Sequence, residues 1–265
     1  MQTQNQPIRL ATSPSGLATM TFAQPVRGNP IGGEFCRQFK ETIDILYATP
    51  GLRAVLIRAE GKNFSFGGDV KSFATSVDDL PGKIRQWTGD LHMGLARTLH
   101  LPVPVVAEVQ GWAMGGAVAL LAGADFVIAG ESSRFGSAFA QIGFSCDSGT
   151  SVTLSMRMGA ARAKRFTLLA EVLSSTDAKA CGLVDEVVAD EELESRARAL
   201  AERLAAGPTM AYGEIKRLFL RAGTSQLESQ LEDEAQTLAR ISSTTDAKGA
   251  VAAFIDKRKY VFTGS

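Results

Sequence analysis

The stretch Gln110-Gly111-Trp112-Ala113-Met114-Gly115-Gly116-Ala117-Val118-Ala119-Leu120-Leu121-Ala122 joins a glycine pair to an almost wholly apolar segment. The apolar run Val105 to Val109 leads into it, so Gly115-Gly116 open a helix whose unpaired backbone N–H groups and positive end face any ligand seated there. That is the chemistry of an anion or oxyanion site. A second glycine pair, in Phe64-Ser65-Phe66-Gly67-Gly68-Asp69-Val70, follows the apolar run Ala54-Val55-Leu56-Ile57 and offers another backbone N–H. Two such donors can converge on one carbonyl oxygen.

Side chains able to move protons are sparse. Asp147 precedes Ser148-Gly149-Thr150-Ser151 and a predicted helix, a context that suits an N-cap as well as a catalytic carboxylate. A cap would keep it ionised through hydrogen bonds and the helix dipole. His92 neighbours Leu91 on a predicted helix whose apolar stripe reads Ile84, Trp87, Leu91, Leu95 and Leu99. It is either a partly buried structural imidazole or a proton carrier. His100, just before Leu101-Pro102, suits a helix C-terminus and is assigned no chemistry. Cys36, Cys146 and Cys181 are odd in number and far apart, which argues against a disulfide framework or a zinc knuckle and for a reducing compartment. Cys146 reads as a small core residue.

These residues need a scaffold, and the chain supplies an α/β one. Short apolar strands at Ala18 to Ala23, Ala54 to Ala59, Val105 to Val109 and Asp125 to Ala129 alternate with helices near Gly33 to Tyr47 and Lys83 to Leu99. Continuous apolar strands separated by helices imply a sheet covered on both faces. After Leu183 to Val188 the character becomes purely helical. Glu191 to Leu204 stops at Gly207-Pro208, and Leu227, Leu231, Ala235 and Leu238 recur at helical spacing. The expected division is a core over 1–195 and a helical region over 196–265 that packs on the core or on a neighbouring subunit.

Lys+Arg and Asp+Glu both number 28, so no long-range field recruits nucleic acid or an anionic surface. Met1 to Gln6 lacks the basic and apolar regions of a leader, and no apolar run reaches the roughly 20 residues that span a bilayer. A cytoplasmic protein without nucleic-acid or membrane partners is expected.

With both glycine loops in place, the chain resembles the crotonase superfamily, the enoyl-CoA hydratase/isomerase family, over nearly its whole length. Phe64-Ser65-Phe66-Gly67-Gly68-Asp69 corresponds to the family's F-S/C-A-G-x-D loop and Gly111-Trp112-Ala113-Met114-Gly115-Gly116 to its N-G-x-x-x-G-G run; Asp125 to Ala129 and Phe135-Gly136 also match. The resemblance implies a repeated ββα core, a C-terminal helical region used in trimer or dimer-of-trimers assembly, and an acyl-CoA thioester substrate, with coenzyme A as part of the substrate and no separate cofactor or metal. It assigns the backbone N–H groups of Gly68 and Gly116 to an oxyanion hole. Phe66, Val70 and Lys71 would meet the CoA, and Phe139, Trp112 and Met114 would line the acyl pocket. The tail cluster Lys257-Arg258-Lys259 is either a further phosphate contact or ordinary surface.

The chain also departs from the pattern it resembles. Hydratases carry two glutamates at the positions of Ala119 and Phe139, and neither a methyl nor a phenyl group activates water or delivers a proton. Asp147 stands where the 4-chlorobenzoyl-CoA dehalogenase branch has its aspartate nucleophile and dienoyl-CoA isomerases an acid. Counting back from Gly111 puts His92 at the dehalogenase's histidine. Phe139, however, replaces the tryptophan that hydrogen-bonds that aspartate. The reading is an acyl-CoA-processing enzyme using Asp147, with His92, for hydrolytic, dehalogenase-like or isomerase chemistry. The alternatives are an atypical hydratase and a non-catalytic acyl-CoA binder or assembly subunit.

Overall fold

A computed structural model describes residues 6–75 and 79–265. Met1 to Asn5, on which most of the leader argument rests, lie outside the described residues. The central sheet has the strand order β1 (Ile8–Thr12), β2 (Leu17–Phe22), β3 (Ala54–Ala59), β4 (Val105–Val109), β6 (Phe126–Gly130) and β9 (Glu186–Val188). Only the β1–β2 pairing is antiparallel. A smaller sheet sets β5 (Trp112–Met114) parallel to β7 (Arg134–Gly136), with β8 (Val172–Ser174) antiparallel to β7. Strand pairs followed by a helix recur along the chain: β1-β2 lead to α1 (Gly33–Ala48), and β4-β5 to α4 (Gly116–Ala122).

Strand alternation sends side chains to two cores. Val55, Ile57, Val105, Ala107, Val127 and Ala129 face one core, with α1, α3 (Leu80–His100) and α4 packed in it. The helices α6 (Ala160–Leu168) and α7 (Ser175–Ala180) add Phe166 and Ala178 to the same core. Leu56, Val106 and Ile128 face the other, which is closed by α8 (Leu193–Ala205) through Leu193, Ala197, Leu200, Ala201 and Leu204. The sheet is covered on both faces, as its largely apolar strands require. The helix α8, placed mostly in the C-terminal region by sequence, is therefore a wall of the core. The outlying region begins with α9 (Thr209–Ala222) and continues through α10 (Leu227–Ser242) and α11 (Thr245–Ile255).

The periodic apolar residues of that region stay uncovered by their own chain: Phe219, Leu227, Leu231, Leu238, Phe254 and Ile255 are all exposed. No helix among the described residues is long and apolar enough to cross a membrane.

A buried carboxyl sits on the α8 face of the sheet. Glu108 in β4 is buried, with Arg58 at 3.5 Å and Oε2 lacking a partner. Burial pushes its carboxyl above the ordinary carboxylate range, Arg58 only partly offsetting this. A raised folded-state pKa contributes stability that is present below the unfolded value and lost as pH rises through the folded one. Glu108→Gln should therefore gain stability relative to the wild type as pH is raised from about 4.5 to 7, read as the difference in urea midpoint. An unchanged difference would contradict this.

Candidate active site

Two short bridges bring the glycine loops together. Ser65 N–H donates to the Trp112 carbonyl at 3.0 Å, and Met114 N–H donates to the Ser65 carbonyl at 2.9 Å. Ser65 thus pairs in parallel with Ala113, and three residues further on Gly68 and Gly116 reach the wall of one cavity of about 430 Å³. Contact between the loops demands glycine. Gly67 has φ +80°, and a Cβ there would stand 2.5 Å from the Met114 carbonyl oxygen.

On its other flank the first loop pairs with Ile31, whose N–H donates to the Gly67 carbonyl at 2.8 Å while its carbonyl accepts the Asp69 N–H at 3.2 Å. Residues 67 and 69 make both bonds, so the N–H of Gly68 between them is turned the other way. In the second loop Gly115, at φ 54° and ψ −128°, donates to the Gly136 carbonyl at 2.8 Å. Gly116 then begins α4 with an N–H that has no intrahelical acceptor. Among the described residues neither amide is spent on a protein acceptor outside α4.

Asp147 lies on the same wall. Its Oδ1 accepts the Ser148 hydroxyl at 2.9 Å. The backbone carbonyl of Asp147, rather than its carboxylate, receives the Thr150 N–H at 2.9 Å and the Thr150 hydroxyl at 2.7 Å. The helix α5 (Thr150–Met158) starts behind Gly149 without any side-chain cap. The carboxylate therefore does not cap α5, and Asp147 is one of the residues lining the cavity.

His92 reaches this loop without entering the cavity. It is exposed on α3, absent from the cavity wall, and its Nε2 accepts the Ser148 N–H at 3.0 Å. An accepting Nε2 places the imidazole proton on Nδ1. The Nε2 lone pair is thus engaged by the backbone of residue 148.

Phe66 and Val70 line the mouth, each about half exposed, and Phe139 lines the interior. Lys71 is exposed on α2 (Val70–Ala74), off the wall. Trp112 and Met114 do not line the cavity either. Strand alternation in β5 sends Ala113 inward, while the Met114 sulfur abuts Gly136 in the smaller sheet. Ala119 is fully buried beside the site, its carbonyl accepting the Thr153 hydroxyl at 3.0 Å.

Several wall residues were not legible as such. Phe73 stacks on Trp87 at 6.0 Å and meets Phe144 at 5.8 Å, forming an aromatic side to the cavity. Trp87 and Leu91 belong to the predicted core-facing stripe of α3, and no periodicity distinguishes a core from a cavity wall. Cys36 lines the cavity too. Burial, then the nearby charges of Asp147 and Asp90, push its thiol up to about 12, so it is no nucleophile at neutral pH.

Residues 12–265 match the family model described as enoyl-CoA hydratase/isomerase. The chain belongs to that family. This crotonase-family chain is 33% identical to the 1,2-epoxyphenylacetyl-CoA isomerase of Escherichia coli, over 94% of its own length and 95% of the relative's. It is 25% identical to 4-chlorobenzoyl coenzyme A dehalogenase-1 of an Arthrobacter species, over 84% and 81%. A crystal structure from Mycobacterium abscessus, described as an enoyl-CoA hydratase/isomerase, superposes with a TM-score of 0.93 at 32% identity, covering 97% of this chain and all of that one. The family member is accordingly an acyl-CoA enzyme of crotonase type with an α/β fold and a C-terminal helical region.

Proposed function

We propose that this enzyme moves a proton on the acyl part of a CoA thioester, as an isomerase does, with Asp147 as the base and the amides of Gly68 and Gly116 as the oxyanion hole. One observation carries the reading: a carboxylate and two amide-bearing glycines share the wall of a single, largely apolar cavity. The carboxylate takes a proton from the carbon next to the carbonyl. The C–H electron pair becomes the enolate double bond, and the charge moves to the thioester oxygen between the two N–H groups. Asp147 then returns the proton to the same carbon or, in an acyl group with a double bond conjugated to the enolate, to the far end of that conjugated system, the double bond shifting toward the carbonyl.

The dehalogenase-like route, and any hydrolysis in which Asp147 is the nucleophile, need a second group to activate water. His92, with Nε2 engaged and no place on the wall, does not supply it. The aromatic side formed by Phe73, Trp87, Phe144 and Phe139 suits a planar ring in the acyl group. The E. coli relative, named 1,2-epoxyphenylacetyl-CoA isomerase, likewise carries a six-membered ring in the acyl group of its name.

The test uses two thioesters. Phenylacetyl-CoA in D2O should exchange its α-protons, followed by NMR. Crotonyl-CoA should not hydrate, staying at least about 10⁴-fold below an ordinary hydratase because both acid–base groups are missing. Hydration at hydratase rates, or no exchange at all, would overturn the reading.

The exposed apolar face of α9 to α11 supports assembly from copies of this chain, as expected from the resemblance. Light scattering should give the mass of three or six chains; a monomer at micromolar concentration would count against it.

A further inference from the structure

Ser148 is the least conspicuous residue at the site and the most constrained. It is 2% exposed and holds φ at 53°, a left-handed conformation that a serine rarely adopts and that costs free energy unless its surroundings fix it. Two contacts do so. The backbone N–H donates to His92 Nε2 at 3.0 Å, and the hydroxyl donates to Asp147 Oδ1 at 2.9 Å. The hydroxyl oxygen also lies 2.5 Å from where a Cβ on Gly116 would stand, so it rests against that glycine's Cα.

We propose that Ser148 is a positioning residue that sets the Asp147 carboxylate against the Gly116 amide, and that His92 acts through Ser148 rather than on substrate. This rests on the reading of Asp147 as the base. The hydroxyl fixes Oδ1 and so leaves Oδ2 as the oxygen that takes the proton. His92 fixes the backbone turn from which that hydroxyl is presented. The unusual φ is the consequence: only with the chain turned this way does residue 148 offer its N–H to α3 and its side chain to the cavity at once. The imidazole serves as an acceptor, a task that an amide oxygen also performs.

The experiment measures α-proton exchange of phenylacetyl-CoA in D2O for the wild type and five variants, with melting temperature and KM beside each rate. Ser148→Ala should lose about 10-fold or more in kcat with KM within about 2-fold, because a hydrogen bond to a charged group is removed. Ser148→Gly should lose as much while melting no lower than the wild type, since glycine accepts the left-handed turn freely. That outcome separates the hydroxyl from folding. His92→Phe should lose about 10-fold, and His92→Gln, whose amide oxygen replaces Nε2, should stay within about 3-fold of the wild type.

Wild-type rates in Ser148→Ala and Ser148→Gly would overturn the proposal. An equal loss in His92→Gln and His92→Phe would overturn the role given to His92, making the imidazole itself the proton carrier. The fifth variant, Asp147→Asn, distinguishes the levels. Exchange at the wild-type rate there removes the reading of Asp147 as base, whereas a dead Asp147→Asn with an unaffected Ser148→Ala sinks only the positioning role.

Discussion

Asp147→Asn should lower kcat for α-proton exchange of phenylacetyl-CoA by about 10²- to 10⁴-fold, the usual contribution of a positioned general base. KM should hardly move, because the side chain keeps its volume and the cavity its shape. The amide also still accepts the Ser148 hydroxyl through its oxygen, so the loop and the fold are retained. A loss in kcat without a change in melting temperature is the expected pattern. Among the described residues no other side chain on the wall replaces the base: Cys36 remains a thiol at neutral pH, and the phenyl group of Phe139 carries no exchangeable proton. Turnover within about 10-fold of the wild type would mean that the carboxylate is not the proton acceptor.

The second large effect is expected at Gly116. Its Cβ position is 2.5 Å from the Ser148 hydroxyl and 3.2 Å from the Ser148 Cβ. Gly116→Ala leaves the helical backbone undisturbed yet pushes Ser148 away, together with its hold on Asp147. The methyl group also crowds the space next to the Gly116 amide. Loss of one oxyanion donor alone costs about 10²- to 10³-fold in kcat, and the variant should fall at least that far. Overpacking of this kind destabilises by about 1–3 kcal/mol, readable in urea. Gly89→Ala serves as the contrast: it lies exposed on α3 with nothing within 4 Å of the new methyl, and should gain about 0.5–1 kcal/mol with activity unchanged. A Gly116→Ala enzyme within about 3-fold of the wild type would contradict the assignment of its amide.

The parts of the fold legible in the sequence are those with a strong period. Ala54–Ala59 and Val105–Val109 are apolar runs interrupted only by Arg58 and Glu108, because both their faces are buried, and α1 and α3 announce themselves by amphipathic stripes. Strands β5, β7, β8 and β9 have three residues each, too few for a period of two to show. The place of α8 is not legible because its stripe looks like that of any surface helix. Only the topology shows that the sheet's second face lacks another cover.

The site divides in the same way. Glycine pairs after apolar strands are visible as Gly68 and Gly116, since a backbone donor needs a backbone that side chains would obstruct. The carboxylate at Asp147 is visible through its place in the resemblance. What escapes is the direction of each bond. Whether Asp147 caps a helix, and whether His92 gives or receives, depends on the turn at Ser148 and Gly149, both at positive φ, which periodicity does not reveal.

A crystal structure of Asp147→Asn with phenylacetyl-CoA bound tests the central claim most directly. The thioester oxygen should lie within about 3 Å of the amide nitrogens of both Gly68 and Gly116, with the α-carbon beside the side-chain amide that replaces the Asp147 carboxylate. A thioester oxygen turned toward solvent, or either backbone amide bonded to the protein instead, would contradict it.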